Sequence, residues 1–566
     1  MAKRKTSAAP AKRAAAPAKT AAAPAKRAAF DWVEGNLARL SRWNQIVWNH
    51  AESAWREYKS ARHYVELLRR EGFEVEEGSA GMPTAFVATW TSGGRAGRRE
   101  GGPVLASYAE YDAIPGTSQK AAPYQAPRAG VSRWAPGHTD PHSALGIGAL
   151  GGVLAAKAAM ERFAIPGTLK LFGEPAEKMC GSKNLHALYG YYDDLDAAIS
   201  FHPTYIPELN NTVVKDTHGG SYWSRVYTFE CTAAESWNSA GALASPAHAH
   251  ATATARAPGA VDAVCLMHTT TKYFRESMLP FTGSWCLNEA ILVAGQATAD
   301  NLPAHIGQIQ FASRAATLEM QERIWNVIER NAREVAKLTH CRVQGTWIAK
   351  TRPGLPNHAM ADLVYRNLAL AGPPAVGEEA RAFGREIQKT LGVKPMRDPF
   401  LADLTELCPP EEAERRVRKL TPEWQTHYAV DDYVEYTWHC PTARLYVSRP
   451  VMRPARAGQR YPDWTFNALG GVPACIDPMI RTAARAIGAS LVELALDARA
   501  LGAAKAEFKR RTGGGIGGKT WLAPLLPKGT KAPIDFRWPE YVTTARGEDW
   551  WIPDRGRGGI RPRART

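Results

Sequence analysis

Apolar residues along the first ordered stretch fall mostly three or four apart. Trp32, Leu37, Leu40, Trp43, Val47, Trp55, Tyr64, Leu67 and Leu68 mark one or two amphipathic helices between Phe30 and Gly72. Gly72 supplies the stop. Short alternating or β-rich runs at 73–76, 84–89 and 103–108 predict strands, and an Ala/Gly-rich run at 143–162 predicts a helix able to lie close against the sheet. Strand signals return at 168–173 and 197–202, and a long helical pattern covers 477–498. Strands alternating with helices predict an α/β domain around a mixed, largely parallel sheet. Near Gly219 the rhythm changes. Strand-like 221–231, helix-like 259–277, strand-like 285–293 and 307–313, helix-like 316–339 and strand-like 341–349 follow one another. That β-α-β-β-α-β order predicts an inserted α+β, ferredoxin-like domain.

The predicted organisation is a discontinuous catalytic α/β domain at 30–218 and 350–550, with a lid or dimerisation domain at 219–349. Two tails flank it. Residues 1–29 repeat an Ala-Pro-Ala-Lys theme and are expected to be disordered, and 551–566 are Gly/Arg-rich and expected to be flexible. With 566 residues and 45% hydrophobic content, the chain can bury a large core in two or more domains.

Net charge is +16, which suggests nucleic acid until the charge is located. Residues 1–29 hold eight Lys/Arg and no acid, and five arginines against Asp554 add a net four at the other end. The body is only mildly basic, so no specific nucleic-acid partner is expected. No run of roughly 20 apolar residues stands out as a membrane span and no secretory leader is legible, so a cytoplasmic protein is expected. The eight cysteines are scattered without a C-x-x-C pair, as reduced thiols would be.

Three short polar clusters follow predicted strands or turns: Gly-His-Thr-Asp-Pro-His at 137–142, Glu-Pro-Ala-Glu-Lys at 174–178, and Phe-His-Pro at 201–203. Strand ends of one sheet bring such clusters together. Imidazole and carboxylate donors from Asp140, His142 and His202 suit zinc or manganese, and Glu177 is placed to take a proton from activated water. Each residue alone reads better as a surface loop group; three clusters on one frame favour a metal site.

Further stretches carry a family resemblance. Gly-Phe-Glu-Val at 72–75, Ala-Gly-Met-Pro-Thr-Ala-Phe-Val-Ala at 80–88 and Glu-Tyr-Asp-Ala-Ile-Pro-Gly-Thr-Ser-Gln at 110–119 resemble the aminoacylase and carboxypeptidase G family of metallopeptidases, in particular its aminobenzoyl-glutamate-hydrolysing branch. The resemblance runs over about residues 31–535. It implies a zinc-peptidase-like catalytic domain with a lid that pairs two copies, and a metal-dependent hydrolase cleaving the amide C–N bond of a small acyl- or aroyl-amino-acid-like substrate. It also admits a hetero-oligomer.

The resemblance implies Asp140, His142 and His202 as ligands, with Asp140 where that branch has cysteine, and Glu177 as general base. His138 paired with Asp140 is a variant of the same motif. Lys178 stands where a glutamate ligand is expected, and Cys475 where a histidine ligand is; Cys475 remains a candidate fourth ligand, and Glu174 a replacement carboxylate. Asn301 resembles a substrate-side lid asparagine, and His250, with His248 nearby, a loosely matched transition-state histidine. The implied cofactor is one or two Zn or Mn ions, the second set in question by Lys178. The alternative is a catalytically weakened relative that binds a small molecule or a partner chain through the same cleft.

Overall fold

The computed structural model describes residues 18–92, 102–204, 206–232, 258–278, 285–295, 303–544 and 547–550. The chain opens on helices α1 (Ala18–His50) and α2 (Tyr58–Arg70), then strands β1 (Glu74–Glu77), β2 (Phe86–Thr91) and β3 (Val104–Ala109). Helix α3 (His142–Arg162), β4 (Thr168–Gly173), the short α4 (Lys183–Leu188), β5 (Ala197–Thr204) and β6 (Thr212–Val213) complete the first half. Then come β7 (Ser221–Cys231), α5 (Ala260–Met278), β8 (Trp285–Ala294), β9 (Ile306–Ala315), α6 (Leu318–Leu338) and β10 (Cys341–Lys350). Helices α7 (His358–Ala371), α8 (Glu378–Thr390) and α9 (Pro410–Arg418) lead to β11 (Thr442–Ser448), and α10 (Trp464–Gly470), α11 (Pro473–Leu496) and α12 (Ala498–Thr512) follow.

Seven strands form the main sheet in the order β1-β2-β4-β3-β5-β11-β6. Its centre, β4-β3-β5-β11, is parallel, and β1, β2 and β6 are antiparallel additions. The parallel strands are buried on both faces, which is why Leu105, Ala106, Leu169, Leu171, Ile199 and Leu445 read as near-continuous apolar runs. A separate antiparallel sheet has the order β10-β7-β9-β8. Helices α5 and α6 share one apolar cluster with it through Val264, Met267, Phe311 and Ile324. Counted within the insertion, the strand order is 4-1-3-2, as the sequence pattern predicts for a ferredoxin-like unit.

Helix α3 is held tightly. An added Cβ at Gly152 would lie 2.6 Å from Ile487 on α11, and one at Gly146 would lie 2.7 Å from the Glu110 carbonyl oxygen. The small residues therefore let the helix approach its neighbouring helices and the loop after β3, not simply the sheet. By length and composition α3 is apolar enough to cross a membrane, contrary to the sequence reading, but 89% of its apolar window is buried inside the fold. It is a core helix, and its apolarity answers to α1, α11 and the sheet around it.

The expected disorder of 1–29 is corrected in part. Residues 18–29 belong to α1, with Ala25, Ala28 and Ala29 buried in the main core and Lys26 paired with Glu493 of α11. Alanine-rich sequence has high helix propensity, and here one face finds a partner, so low complexity did not mean absence of structure. Residues 1–17 and 551–566 lie outside the described residues, as do His248, His250 and Asn301.

Candidate metal centre

The C-terminal ends of the parallel strands point to one edge of the main sheet, where open α/β folds gather chemistry. β3 delivers Glu110 and Asp112, β4 leads to Glu174, Glu177 and Lys178, and β5 carries His202 near its end. His142 begins α3. Glu110, Asp112 and His142 are fully buried. One donor atom each of Glu110, His142 and His202 lies within 4.8 Å of the others, and the same holds for Asp112, His142 and Glu177.

His142 Nδ1 lies 2.6 Å from Asp112 Oδ1, and the Lys178 backbone N–H donates to Asp112 Oδ2 at 2.9 Å. His202 Nδ1 faces its neighbour's carbonyl, Pro203 O, at 2.6 Å; the ring donates there, which frees Nε2 as a donor of electrons. Burial pushes the His202 pKa down to about 4, so its imidazole is neutral and fit to bind a cation. His202 Nε2 is 3.8 Å from Asp140 Oδ1, and His142 Nε2 is 3.4 Å from Glu110 Oε2. Glu110 Oε2 and Asp140 Oδ1 are buried and make no hydrogen bond. Unspent carboxylate oxygens beside two imidazoles form a nitrogen–oxygen donor set suited to zinc or manganese. Glu110 and His202, with Asp140 Oδ1 3.8 Å from the latter, therefore offer unspent donor atoms to one divalent ion, whereas His142 Nε2 is engaged by Lys178. The second donor group, Asp112, His142 and Glu177, is not open to another ion, because the Lys178 ammonium from the turn after β4 lies against His142 Nε2 and Glu177 Oε2.

That ammonium sits in the middle of the cluster. Lys178 Nζ donates to Asp140 Oδ2 at 2.6 Å, contacts His142 Nε2 at 2.7 Å and lies 3.3 Å from Glu177 Oε2. Ala176 and Cys180, both in the left-handed region with φ of 55° and 49°, bracket the turn that presents it. Non-glycine residues in that region cost energy and persist where the surroundings hold them. The Glu57 carboxylate, accepting from Ala176 N–H at 2.7 Å and from Thr84 Oγ1 at 3.0 Å, is one such hold.

Charges in the cluster sustain one another. Burial disfavours the Glu177 carboxylate, but Lys178 and then His142 outweigh it and bring its pKa down to about 2. Asp140 is likewise held ionised against burial, chiefly by Lys178. Lys178 stays protonated against burial because of Asp140 and Glu177. Around His142, burial and Lys178 oppose the imidazolium, while the surrounding carboxylates favour it and raise the pKa. The 2.7 Å contact decides for the neutral ring: two cationic donors cannot share that line, so Nε2 accepts from Lys178 and the proton stays on Nδ1 toward Asp112.

A second buried network backs the first. Lys183 Nζ donates to Glu110 Oε1 at 2.7 Å and to Asp432 Oδ1 at 2.6 Å, with all three side chains fully buried. Arg444 reaches Tyr108 Oη and Ser200 Oγ, each at 2.8 Å, and pairs with Asp431. In front of the centre lies a cleft of about 490 Å³ whose lining includes Asp140, Glu177, Lys178, Arg314 from β9 and Arg449 after β11.

Asp140, His142, His202 and Glu177 thus come together, with His142 Nε2 facing the Lys178 ammonium and not an open ligand position as expected. Cys475 does not join them. It is buried in the first turn of α11 among Val376, Ala380, Phe400 and Leu469, outside the donor groups, where desolvation pushes its thiol up to about 12. Glu174 is no replacement carboxylate, since it accepts from Tyr192 Oη at 2.6 Å, Tyr436 Oη at 2.8 Å and His186 Nδ1 at 3.0 Å. His138 directs Nε2 to the Val47 carbonyl oxygen at 3.2 Å and belongs to none of the donor groups. Sequence reasoning missed Glu110 and Asp112 as site residues, although they directly follow β3; that placement was the available signal.

No family model matches the chain. Among curated proteins it is 27% identical over 361 residues to one of the subunits of p-aminobenzoyl-glutamate hydrolase from Escherichia coli (strain K12), covering 64% of this chain and 68% of that protein. Among solved structures it is similar to an aminobenzoyl-glutamate utilization protein from Klebsiella pneumoniae, at TM-score 0.48 and 14% identity over 83% of this chain and 99% of that one. It is also similar to the dinuclear metal binding M20-family peptidase YXEP of Bacillus subtilis, at TM-score 0.41 and 14% identity over 82% and 99%. In the alignment to the Escherichia coli protein and in the motifs at 72–75, 80–88 and 110–119, the chain is similar to the aminoacylase and carboxypeptidase G amidohydrolases.

Proposed function

We propose that the chain is a metal-dependent amidohydrolase that cleaves the amide C–N bond of a small, anionic acyl- or aroyl-amino-acid-like substrate in the cleft before Glu177. The observation that carries this reading is the place of Glu177. Its carboxylate borders the cleft, 3.3 Å from His142 Nε2, and is held ionised beside the donor set. A divalent ion held by Glu110, Asp140 and His202 would supply Lewis acidity toward the scissile carbonyl and the attacking water.

The chain's own groups do the rest. Glu177 takes the proton from the attacking water at a carboxylate oxygen and returns it to the leaving nitrogen. Asp112 keeps His142 in one tautomer and orientation through the Nδ1 contact. Arg314 and Arg449 bring guanidinium groups to the cleft, which suits a substrate carboxylate. The named activity of the Escherichia coli relative supports aminobenzoyl-glutamate as the first compound to try. Pairing of two copies through the insertion, or with a different chain, belongs to the same reading, as does a cytoplasmic setting.

The test is hydrolysis of a panel of acyl- and aroyl-amino acids, aminobenzoyl-glutamate included, by protein loaded with Zn²⁺ or Mn²⁺. Glu177→Gln should lower the rate by about two to four orders of magnitude while circular dichroism and metal content stay as in the wild type. A wild type inactive across the panel with either metal, or a variant of undiminished rate, rejects the proposal. Lys178 favours a second reading, a relative that keeps the cleft for binding and has lost turnover. In that case the panel compounds bind with measurable heat but are not cleaved.

A further inference from the structure

We infer that the Lys178 ammonium is a resident cation of this centre, built into the chain at one of two cation positions, so that the centre binds at most one divalent ion. Three donors of the kind that hold metals converge on Nζ: Asp140 Oδ2 at 2.6 Å, His142 Nε2 at 2.7 Å and Glu177 Oε2 at 3.3 Å. Such convergence on one lysine marks a site organised around a positive charge. An ammonium has no lone pair to give a metal, and its own charge repels an ion a few ångströms away.

The backbone fixes the placement independently. The Lys178 N–H is bonded to Asp112 Oδ2, the same carboxylate that holds His142, and the turn is bracketed by the left-handed Ala176 and Cys180. Lysine at 178 is therefore aimed inward by strain and hydrogen bonding together. What remains unspent is directed elsewhere. Glu110 Oε2 and Asp140 Oδ1 are buried without a hydrogen bond, and His202 Nε2 stands near the latter. Those atoms mark a cation position beside the ammonium and make Glu110 a ligand that the family motifs do not assign. The consequence is a centre with one exchangeable and one covalently attached positive charge, the latter unable to leave and unable to act as a Lewis acid.

The inference rests on the same site as the proposed function but not on turnover, and the measurement is stoichiometry. Full-length protein equilibrated with excess Mn²⁺, which avoids the eight free thiols, is desalted and its metal counted by mass spectrometry. The wild type should hold no more than one equivalent, and Lys178→Glu about two, with thermal unfolding confirming a folded variant. Two equivalents in the wild type, or an unchanged count in folded Lys178→Glu, overturns the inference. Should that variant fail to fold, Lys178→Met removes the charge without adding a ligand. Its count should stay at or below one while Mn²⁺ binds at least tenfold more tightly by calorimetry; an unchanged affinity overturns the inference equally. An active wild type with two ions would reject the resident cation and keep the hydrolase, and an inactive wild type with the one-to-two change would do the reverse.

Discussion

Arg352 and Glu435 form a buried ion pair between the chain leaving β10 and the turn before β11, and Arg352→Met is the perturbation that measures it. The chain leaves β10 at Lys350, and Arg352 follows two residues later with its side chain fully buried against an equally buried Glu435. Nε and Nη2 donate to Glu435 Oε2 at 2.9 and 2.5 Å, the Arg352 N–H donates to Oε1 at 2.8 Å, and Nη1 donates to Leu522 O at 2.8 Å. At an effective dielectric of about 20, opposite charges some 3 Å apart attract by about 5–6 kcal/mol, most of it offset by desolvation of the two groups. Methionine keeps the volume and removes the partner, stranding a carboxylate in the interior, a change that typically costs about 3–5 kcal/mol. Urea unfolding followed by tryptophan fluorescence should show that loss. Replacing both residues, Arg352→Met with Glu435→Met, should recover much of it, giving a coupling of at least about 2 kcal/mol. A single variant that loses less than about 1 kcal/mol, or a double variant whose loss equals the sum of the two singles, would refute the argument that the pair is held by mutual compensation.

Two further outcomes follow from local geometry. Gly146→Ala sets a methyl 2.2 Å from Tyr64 Oη and 2.7 Å from the Glu110 carbonyl oxygen, so it should cost about 1–3 kcal/mol in thermal unfolding. Burial raises the Asp477 pKa to about 6 against about 3.9 unfolded, so the folded state holds that proton more tightly, and stability should fall as pH rises from about 4 to about 6. Discounted for partial exposure, the loss is about 1–1.5 kcal/mol; it should vanish from the pH dependence of the melting temperature in Asp477→Asn.

The architecture was legible where periodicity and burial act in the same direction. The strands at 168–173 and 221–231 were placed at their observed ends, and the inserted unit showed itself because its order of elements differs from that of the surrounding α/β chain. The tail failed for a physical reason: a repeat rich in Ala and Lys carries no apolar stripe of large residues, and only the position of α11 reveals that Ala25, Ala28 and Ala29 have something to pack against. Donor types were readable at Asp140, His142 and His202 because each sits in a short polar cluster. Cys475 was assigned from its place along the chain alone, and an apolar cluster of residues drawn from 376 to 475 decided its environment.

Lys178 shows where sequence stops and geometry begins. A lysine at a ligand position admits two readings from sequence, a side chain turned away or a charge inside the site, and these have opposite consequences for metal binding. Which one holds depends on the direction of a three-residue turn. The sign of φ at Ala176 and Cys180, and the acceptance of the Lys178 N–H by Asp112, settle that direction. Neither is encoded in the identity of residue 178. Once the ammonium is inside, Asp140 and Glu177 keep it charged, and it keeps them ionised in return. The charge state of the whole cluster therefore follows from one backbone turn, and the same residues around a glutamate at 178 would form a centre of different charge and different appetite for cations.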